Sequence, residues 1–122
     1  MNVVICGSRI IRRYVVVETA LDKFFAEHPE LEMTELISGA ARGVDTLAEN
    51  WAIQRGIPVQ RYPALWGKFG IGAGFRRNLE MLGICDVMIA ILPVDLETNG
   101  TKHMITNAKK LNKKYFVLRV IP

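Results

Sequence analysis

The sequence has few cysteines, no long hydrophobic run and no recognisable targeting segment. Its two cysteines, Cys6 and Cys85, are far apart, which excludes a disulfide framework and the close ligand spacing of a zinc site. No apolar stretch approaches the roughly 18 residues that a membrane helix needs. The N-terminus lacks the basic flank and the small-residue cleavage site of a signal peptide. We therefore expect a cytoplasmic protein that does not contact a membrane.

The charge balance is mildly basic, with 16 Lys and Arg, 12 Asp and Glu, and a formal net charge of +4. Half of the residues are hydrophobic, which predicts a single globular domain over residues 1–122 rather than a disordered chain. A surplus of this size suits an anionic ligand but does not require nucleic acid. Part of it is a late cluster that we interpret as a solvated helix end: Lys109, Lys110, Lys113 and Lys114.

Short apolar runs alternate with segments of helical periodicity along the whole chain. Strands are predicted over residues 2–6, 35–38, 59–62, 86–92 and 115–120. Helices are predicted over residues 12–28, 44–52, 75–82 and 101–111, with a glycine-rich stretch before the third helix. This alternation predicts an α/β, Rossmann-like three-layer sandwich, in which a central parallel five-stranded sheet of order 3-2-1-4-5 has helices on both faces.

Glycines, hydroxyl side chains and arginines follow four of the predicted strands. Ligands of such sheets bind beyond the carboxyl ends of the strands, so these segments should lie at one edge. Glycine lets the backbone approach a phosphate, helix N-termini present N–H donors to it, and arginine adds a planar positive charge. We therefore predict an anion site. Its candidates are Gly7, Ser8 and Arg9, then Gly39, Arg42, Gly43 and Asp45, then Trp66, Arg76, Arg77 and Asn78, and finally Asn99, Gly100, Thr101 and Lys102.

Several of these candidates have a second interpretation. Asp45 is expected in the first turn of its helix, where a carboxylate is favourable to the helix dipole, but it could also accept a ribose hydroxyl or act as a general base. Arg77 and Glu80 are spaced i, i+3 and could form an intrahelical ion pair. Trp66 is either a stacking surface for a base or an ordinary loop residue.

Five motifs occur in order over nearly the whole chain. They are VICGSR at residues 4–9, SGAARGVDTLA at 38–48, PALW at 63–66, AGFRRNLEM at 73–81 and GTK at 100–102. Together they resemble the YspA or YpsA-related branch of the SLOG superfamily, which is frequent in bacteria and phages and has no settled biochemical activity. The resemblance implies a Rossmann-like domain that binds a nucleotide or nucleotide-derived ligand and that self-associates as a dimer or higher oligomer. We expect no metal and no other cofactor.

The chain departs from related patterns at informative positions. The branch usually has Gly-Gly where this chain has Gly39-Ala40. The similar lonely-guy phosphoribohydrolases carry a glutamate at the position of Met104, so the phosphate-binding part of their pattern is retained better than the catalytic part.

The main prediction is therefore nucleotide binding, and two alternatives remain open. One is a hydrolase that cleaves an N-glycosidic bond in a nucleotide or ADP-ribose derivative, with Asp45 or Glu80 as the carboxylate. The other is binding of single-stranded nucleic acid, as in the DNA-processing member of the superfamily.

Overall fold

A parallel sheet forms the centre of the structure, a computed structural model that describes residues 1–96 and 98–122. The strands are β1 (Asn2–Gly7), β2 (Glu35–Ser38), β3 (Val59–Arg61), β4 (Val87–Pro93) and β5 (Lys114–Val120). All neighbouring strands pair in parallel, and the order is β3-β2-β1-β4-β5. The predicted sheet and its strand order are confirmed.

Helices cover both faces of this sheet. They are α1 (Tyr14–Glu27), α2 (Val44–Gln54), α3 (Trp66–Phe69), α4 (Ala73–Ile84) and α5 (Asn99–Lys110). Successive side chains of a strand point to opposite faces. Val3 and Ile5 of β1 accordingly pack in a core with α1 and α2, whereas Val4 and Cys6 pack in a second core with α4 and α5. The predicted three-layer sandwich is confirmed.

The position of the central strand β1 shows where the ligand crevice of the sheet is expected. It pairs with β2 on one side and with β4 on the other, and Gly7 at its end lies in register with Ile91. The chain leaves β1 towards β2 on one side and leaves β4 towards β5 on the other. The crevice beyond the carboxyl ends of β1 and β4 is therefore where a ligand is expected.

Several short elements and helix ends differ from the sequence prediction, among them the start of α1 at Tyr14 rather than at residue 12. Residues Trp66–Phe69 form one helical turn and Gly70–Gly72 form a 3-10 helix, where only a glycine-rich stretch was predicted. Elements this short contain too few residues for a periodic signal. Helix α5 begins at Asn99 rather than at residue 101, because Thr98 is its N-cap. The predicted connection over residues 93–98 includes Glu97, which lies outside the described residues.

Cys6 and Cys85 are both free and buried. Among the helices of the described residues, none is long and apolar enough to cross a membrane.

Candidate functional site

A cavity of about 300 Å³, which we call the central cavity, lies beyond the carboxyl ends of β1 and β4. The first half of the chain contributes Gly7, Ser8, Arg9 and Asp45 to its lining. The second half contributes Arg77, Asn78, Gly100 and Thr101. Eight of the residues predicted from the sequence therefore meet around one space.

The turn after β1 is fixed by hydrogen bonds on both sides of Ser8. The Ser8 N–H donates to the Ile91 carbonyl at 3.2 Å, and the Ser8 hydroxyl oxygen accepts from the Ile10 N–H at 3.2 Å. Ser8 itself is fully buried, whereas Arg9 is exposed. The backbone at the end of β1 is thus held rigidly, and the next residue brings a positive charge to the cavity.

Gly39, directly after β2, lies close to the charged groups of Arg77 and Asp45. A Cβ atom at this position would lie 2.8 Å from Nη1 of Arg77 and 2.9 Å from Oδ2 of Asp45. Both distances are far below van der Waals contact, so a side chain here would displace one of the two groups. The close approach of the Arg77 guanidinium and the Asp45 carboxylate to residue 39 therefore favours glycine at this position.

Asp45 is a buried carboxylate in the first turn of α2, with 7% of its surface exposed. Its Oδ2 accepts a hydrogen bond from the Ala41 N–H at 3.1 Å. Burial raises the pKa of Asp45 to about 6, although the Ala41 hydrogen bond and the charge of Arg77 act in the opposite direction. A carboxyl group that titrates near neutral pH can both donate and accept a proton, which is the requirement for acid–base chemistry.

Arg77 connects α4 to the ends of two strands. Its Nη1 donates to the Gly39 carbonyl and, at 3.4 Å, to the Tyr62 carbonyl. Within the described residues it forms no ion pair with Glu80, so the helical pair that the spacing allowed is absent. Burial lowers the pKa of Arg77, while the nearby Asp45 carboxylate raises it. Arg77 therefore lines the cavity and also holds the loop after β2 in place.

The N-terminus of α5 closes another side of the central cavity. The Thr98 hydroxyl caps this helix, accepting from the Thr101 N–H at 3.4 Å and donating to the Thr101 hydroxyl at 3.0 Å. Asn78 of α4 reaches across, with its Nδ2 3.5 Å from the Gly100 carbonyl oxygen and 3.4 Å from Nδ1 of His103. Burial lowers the pKa of His103.

Met104 lines the same cavity one turn further along α5 and is buried. A thioether can neither transfer a proton nor stabilise a positive charge as a carboxylate does. Where the lonely-guy pattern has a glutamate, this protein therefore has an apolar side chain in the wall of the cavity.

The remaining predicted residues lie outside the central cavity. Arg42 and Gly43 line a neighbouring cavity on the side of α2. Arg76 and Glu80 line another beside β3, where the Arg76 guanidinium stacks 4.1 Å from the Phe69 ring centroid. Four further candidates border neither the central cavity nor these two: Gly39, which lies against Arg77 and Asp45, Trp66, whose ring packs against Gly74, and the exposed Asn99 and Lys102.

Some lining residues were not predicted from the sequence. Cys6, Ile10 and Ala41 complete the wall beside the predicted glycines and arginines. Thr98 had a recognisable signal, since threonine is a preferred N-cap and it precedes the glycine at the start of the helix. In the part of the chain that the structure describes, no group of three or more His, Cys, Asp or Glu side chains could hold a metal ion.

Two comparisons with known proteins agree with this architecture. The model of the YspA, cpYpsA-related SLOG family matches residues 1–69, which carry the ends of β1 and β2 and the start of α2. The gene 61 protein of Mycobacterium phage D29 is 33% identical over 115 residues, a match that covers 89% of this chain and 89% of that protein. The chain therefore belongs to the YspA, cpYpsA-related SLOG family.

Proposed function

We propose that the central cavity binds a nucleotide or a nucleotide-derived ligand through its phosphate. The observation that carries the proposal is the convergence of Arg9, Arg77 and the N-terminus of α5 on one cavity at the crevice of the sheet. Helix N-termini and arginine forks are the two features by which proteins bind phosphate most often. The family relationship supports a domain of this class.

Asp45 is expected to discriminate between a nucleotide and inorganic phosphate. A carboxylate beside two arginines repels a bare phosphate but accepts hydrogen bonds from sugar hydroxyls. It would therefore favour a ligand that has a ribose near its phosphate over inorganic phosphate. Its burial removes competing water from this hydrogen bond.

Calorimetric titration of the purified protein with AMP, GMP, CMP, UMP and inorganic phosphate tests the proposal. At least one nucleotide is expected to bind more tightly than inorganic phosphate. Arg9→Gln and Thr101→Val should each weaken that binding by about tenfold, the usual effect of removing a hydrogen bond to a charged group. Lys110→Gln, in the last turn of α5, is the control and should bind as the wild type does. Absence of binding by all four nucleotides would overturn the proposal.

A second candidate function is hydrolysis of the N-glycosidic bond of such a ligand. It is favoured by one observation: the only acidic residue lining the central cavity, among those described, is the buried Asp45 with a pKa raised to about 6. Its carboxylate could stabilise the positive charge that develops on the ribose, or deprotonate the attacking water.

Chromatography for released base after incubation with nucleoside monophosphates and ADP-ribose tests this activity. Asp45→Asn should abolish the release, whereas Glu80→Gln, in the cavity beside β3, should retain it. Equal loss in the two variants would contradict the assignment of Asp45. An unchanged substrate in the wild-type incubation would leave nucleotide binding as the function.

A further inference from the structure

A second cavity, of about 390 Å³, lies beside the central cavity at the N-terminus of α2; we call it the arginine cavity. Its lining residues include Arg9, Arg12 and Arg42. Arg9 and Ile10 line both cavities. The two spaces are therefore neighbours that share a wall.

All the charged residues that line the arginine cavity, among those described, are positive. None of the described residues that line it is acidic. The ion pairs found among residues 1–96 and 98–122 belong to Arg55 and Arg61, and none involves the three arginines of this cavity. The Asp45 carboxylate of the central cavity acts on Arg9 across the shared wall, but the arginine cavity itself is lined by no acidic residue among those described. Like charges held together repel one another and lower the stability of the folded state. Such a cluster becomes favourable when an anion occupies it.

The backbone that carries these arginines is held in place. At Gly43, where φ is +78°, a Cβ atom would lie 2.5 Å from both the Arg9 Cα and the Ser8 carbonyl oxygen. The Val44 N–H also donates to the Ser8 carbonyl at 3.3 Å. The turn after β1 and the start of α2 are therefore in direct contact, which keeps Arg9 and Arg42 on neighbouring backbone segments.

Arg12 is anchored in a different way. Ile11, the residue before it, is fully buried in the core with α1 and α2. The backbone position of Arg12 is thus set by the packing of its neighbour, although its own side chain is exposed.

The arginine cavity also has apolar walls. Ile10 is 52% exposed and Leu47 is partly buried, and both line it. The positive end of the α2 dipole lies at the same place. Arginines, an apolar wall and a helix N-terminus together suit a phosphorylated organic group better than a simple ion.

We propose that the ligand of the central cavity carries a further phosphate, and that the arginine cavity binds it. The inference rests on the proposed function, because it assigns the first phosphate to the central cavity. Since Arg9 borders both spaces, a phosphate beside it on one side can be linked directly to a second phosphate on the other. The ligand class is then nucleoside diphosphates and larger conjugates that contain a diphosphate.

The test compares each of AMP, GMP, CMP and UMP with its diphosphate, by calorimetric titration at constant ionic strength. In the wild type, the diphosphate of the preferred base should bind at least about tenfold more tightly than the monophosphate. In Arg12→Gln/Arg42→Gln this ratio should fall to about one. Lys109→Gln/Lys110→Gln removes the same charge from the last turn of α5, at the other end of the helix, and should keep the wild-type ratio.

The outcomes separate this inference from the proposed function. Equal affinity for mono- and diphosphates in the wild type overturns the second phosphate site and leaves the first intact. If the ratio of diphosphate to monophosphate affinity falls equally in the arginine and the lysine variants, the effect is one of general charge, and the second phosphate site is also overturned. Binding of neither nucleotide class overturns both proposals. Tight, steeply salt-dependent binding of a thymidine oligonucleotide, lost in the arginine variant, would assign this surface to a nucleic-acid strand instead.

Discussion

Replacement of Asp45 by asparagine should stabilise the protein while it impairs the site. The side chain has 7% of its surface exposed, and burial is the largest cause of its raised pKa. Asparagine has nearly the same shape, and its Oδ1 can still accept the hydrogen bond that Asp45 receives from Ala41. The substitution therefore removes a buried negative charge together with its attraction to Arg77, which is already included in the raised pKa of Asp45.

The magnitude follows from the titration of Asp45. In the unfolded chain it titrates near the ordinary value of 3.8, and in the folded protein at about 6. Between these values the folded state binds more protons than the unfolded state, so stability falls as the pH rises. A difference of about two pH units corresponds to about 3 kcal/mol. This cost is fully present above about pH 7 and absent below about pH 4.

Urea denaturation of the wild type and Asp45→Asn at several pH values measures the effect, because the difference between the two proteins cancels the other titrating groups. Asp45→Asn should have the higher free energy of unfolding by up to about 3 kcal/mol at about pH 8, and the two should converge near pH 4. Glu80→Gln, at an exposed carboxylate, should differ from the wild type by less than about 0.5 kcal/mol throughout. A destabilised Asp45→Asn at pH 8 would refute the reasoning.

Gly39 and Ala40, which follow β2, provide further predictions. Gly39→Ala should weaken nucleotide binding by at least about tenfold, since its Cβ would meet Arg77 and Asp45 at 2.8 and 2.9 Å, and calorimetry checks this. The control Gly83→Ala, whose Cβ meets no atom within 4 Å, should bind normally, and equal binding by both variants would contradict the close approach. Ala40→Gly should raise the free energy of unfolding by up to about 1 kcal/mol in urea, because Ala40 has φ +59° and glycine adopts this region without strain. Ala41→Gly, at an ordinary φ, should lower it by about 0.5–1 kcal/mol, so a loss of stability in both variants would count against strain at Ala40.

The fold could be predicted because short apolar runs alternate with helical periodicity along the chain, and the signal is strongest in β4. All seven residues of β4 are buried, and a continuous apolar run is what a strand covered on both faces requires. The grouping of Ser8, Arg9 and Thr101 followed from topology, since the carboxyl ends of parallel strands share one edge.

The division of the arginines between cavities could not be predicted in this way. Arg76 and Arg77 are adjacent in sequence, and which of them faces the sheet depends on the rotation of α4 about its axis. That rotation is set by the burial of Met81 and Leu82 against the second core, which is a tertiary effect. Arg12 was placed within the predicted first helix, whereas α1 begins at Tyr14 and leaves Arg12 in the turn beside the arginine cavity.

A nuclear magnetic resonance titration tests the central claim most directly, because it reports where a ligand binds without assuming which one. Amide resonances of ¹⁵N-labelled protein would be followed as each of the four nucleoside monophosphates is added. The account predicts that the largest shifts occur at the amides of Gly7, Ser8 and Arg9 and at Gly100 and Thr101, around the central cavity. Shifts confined to the lysine cluster at the end of α5, or to a separate groove that Val16 and Phe24 of α1 line together with Phe116 and Leu118 of β5, would contradict it.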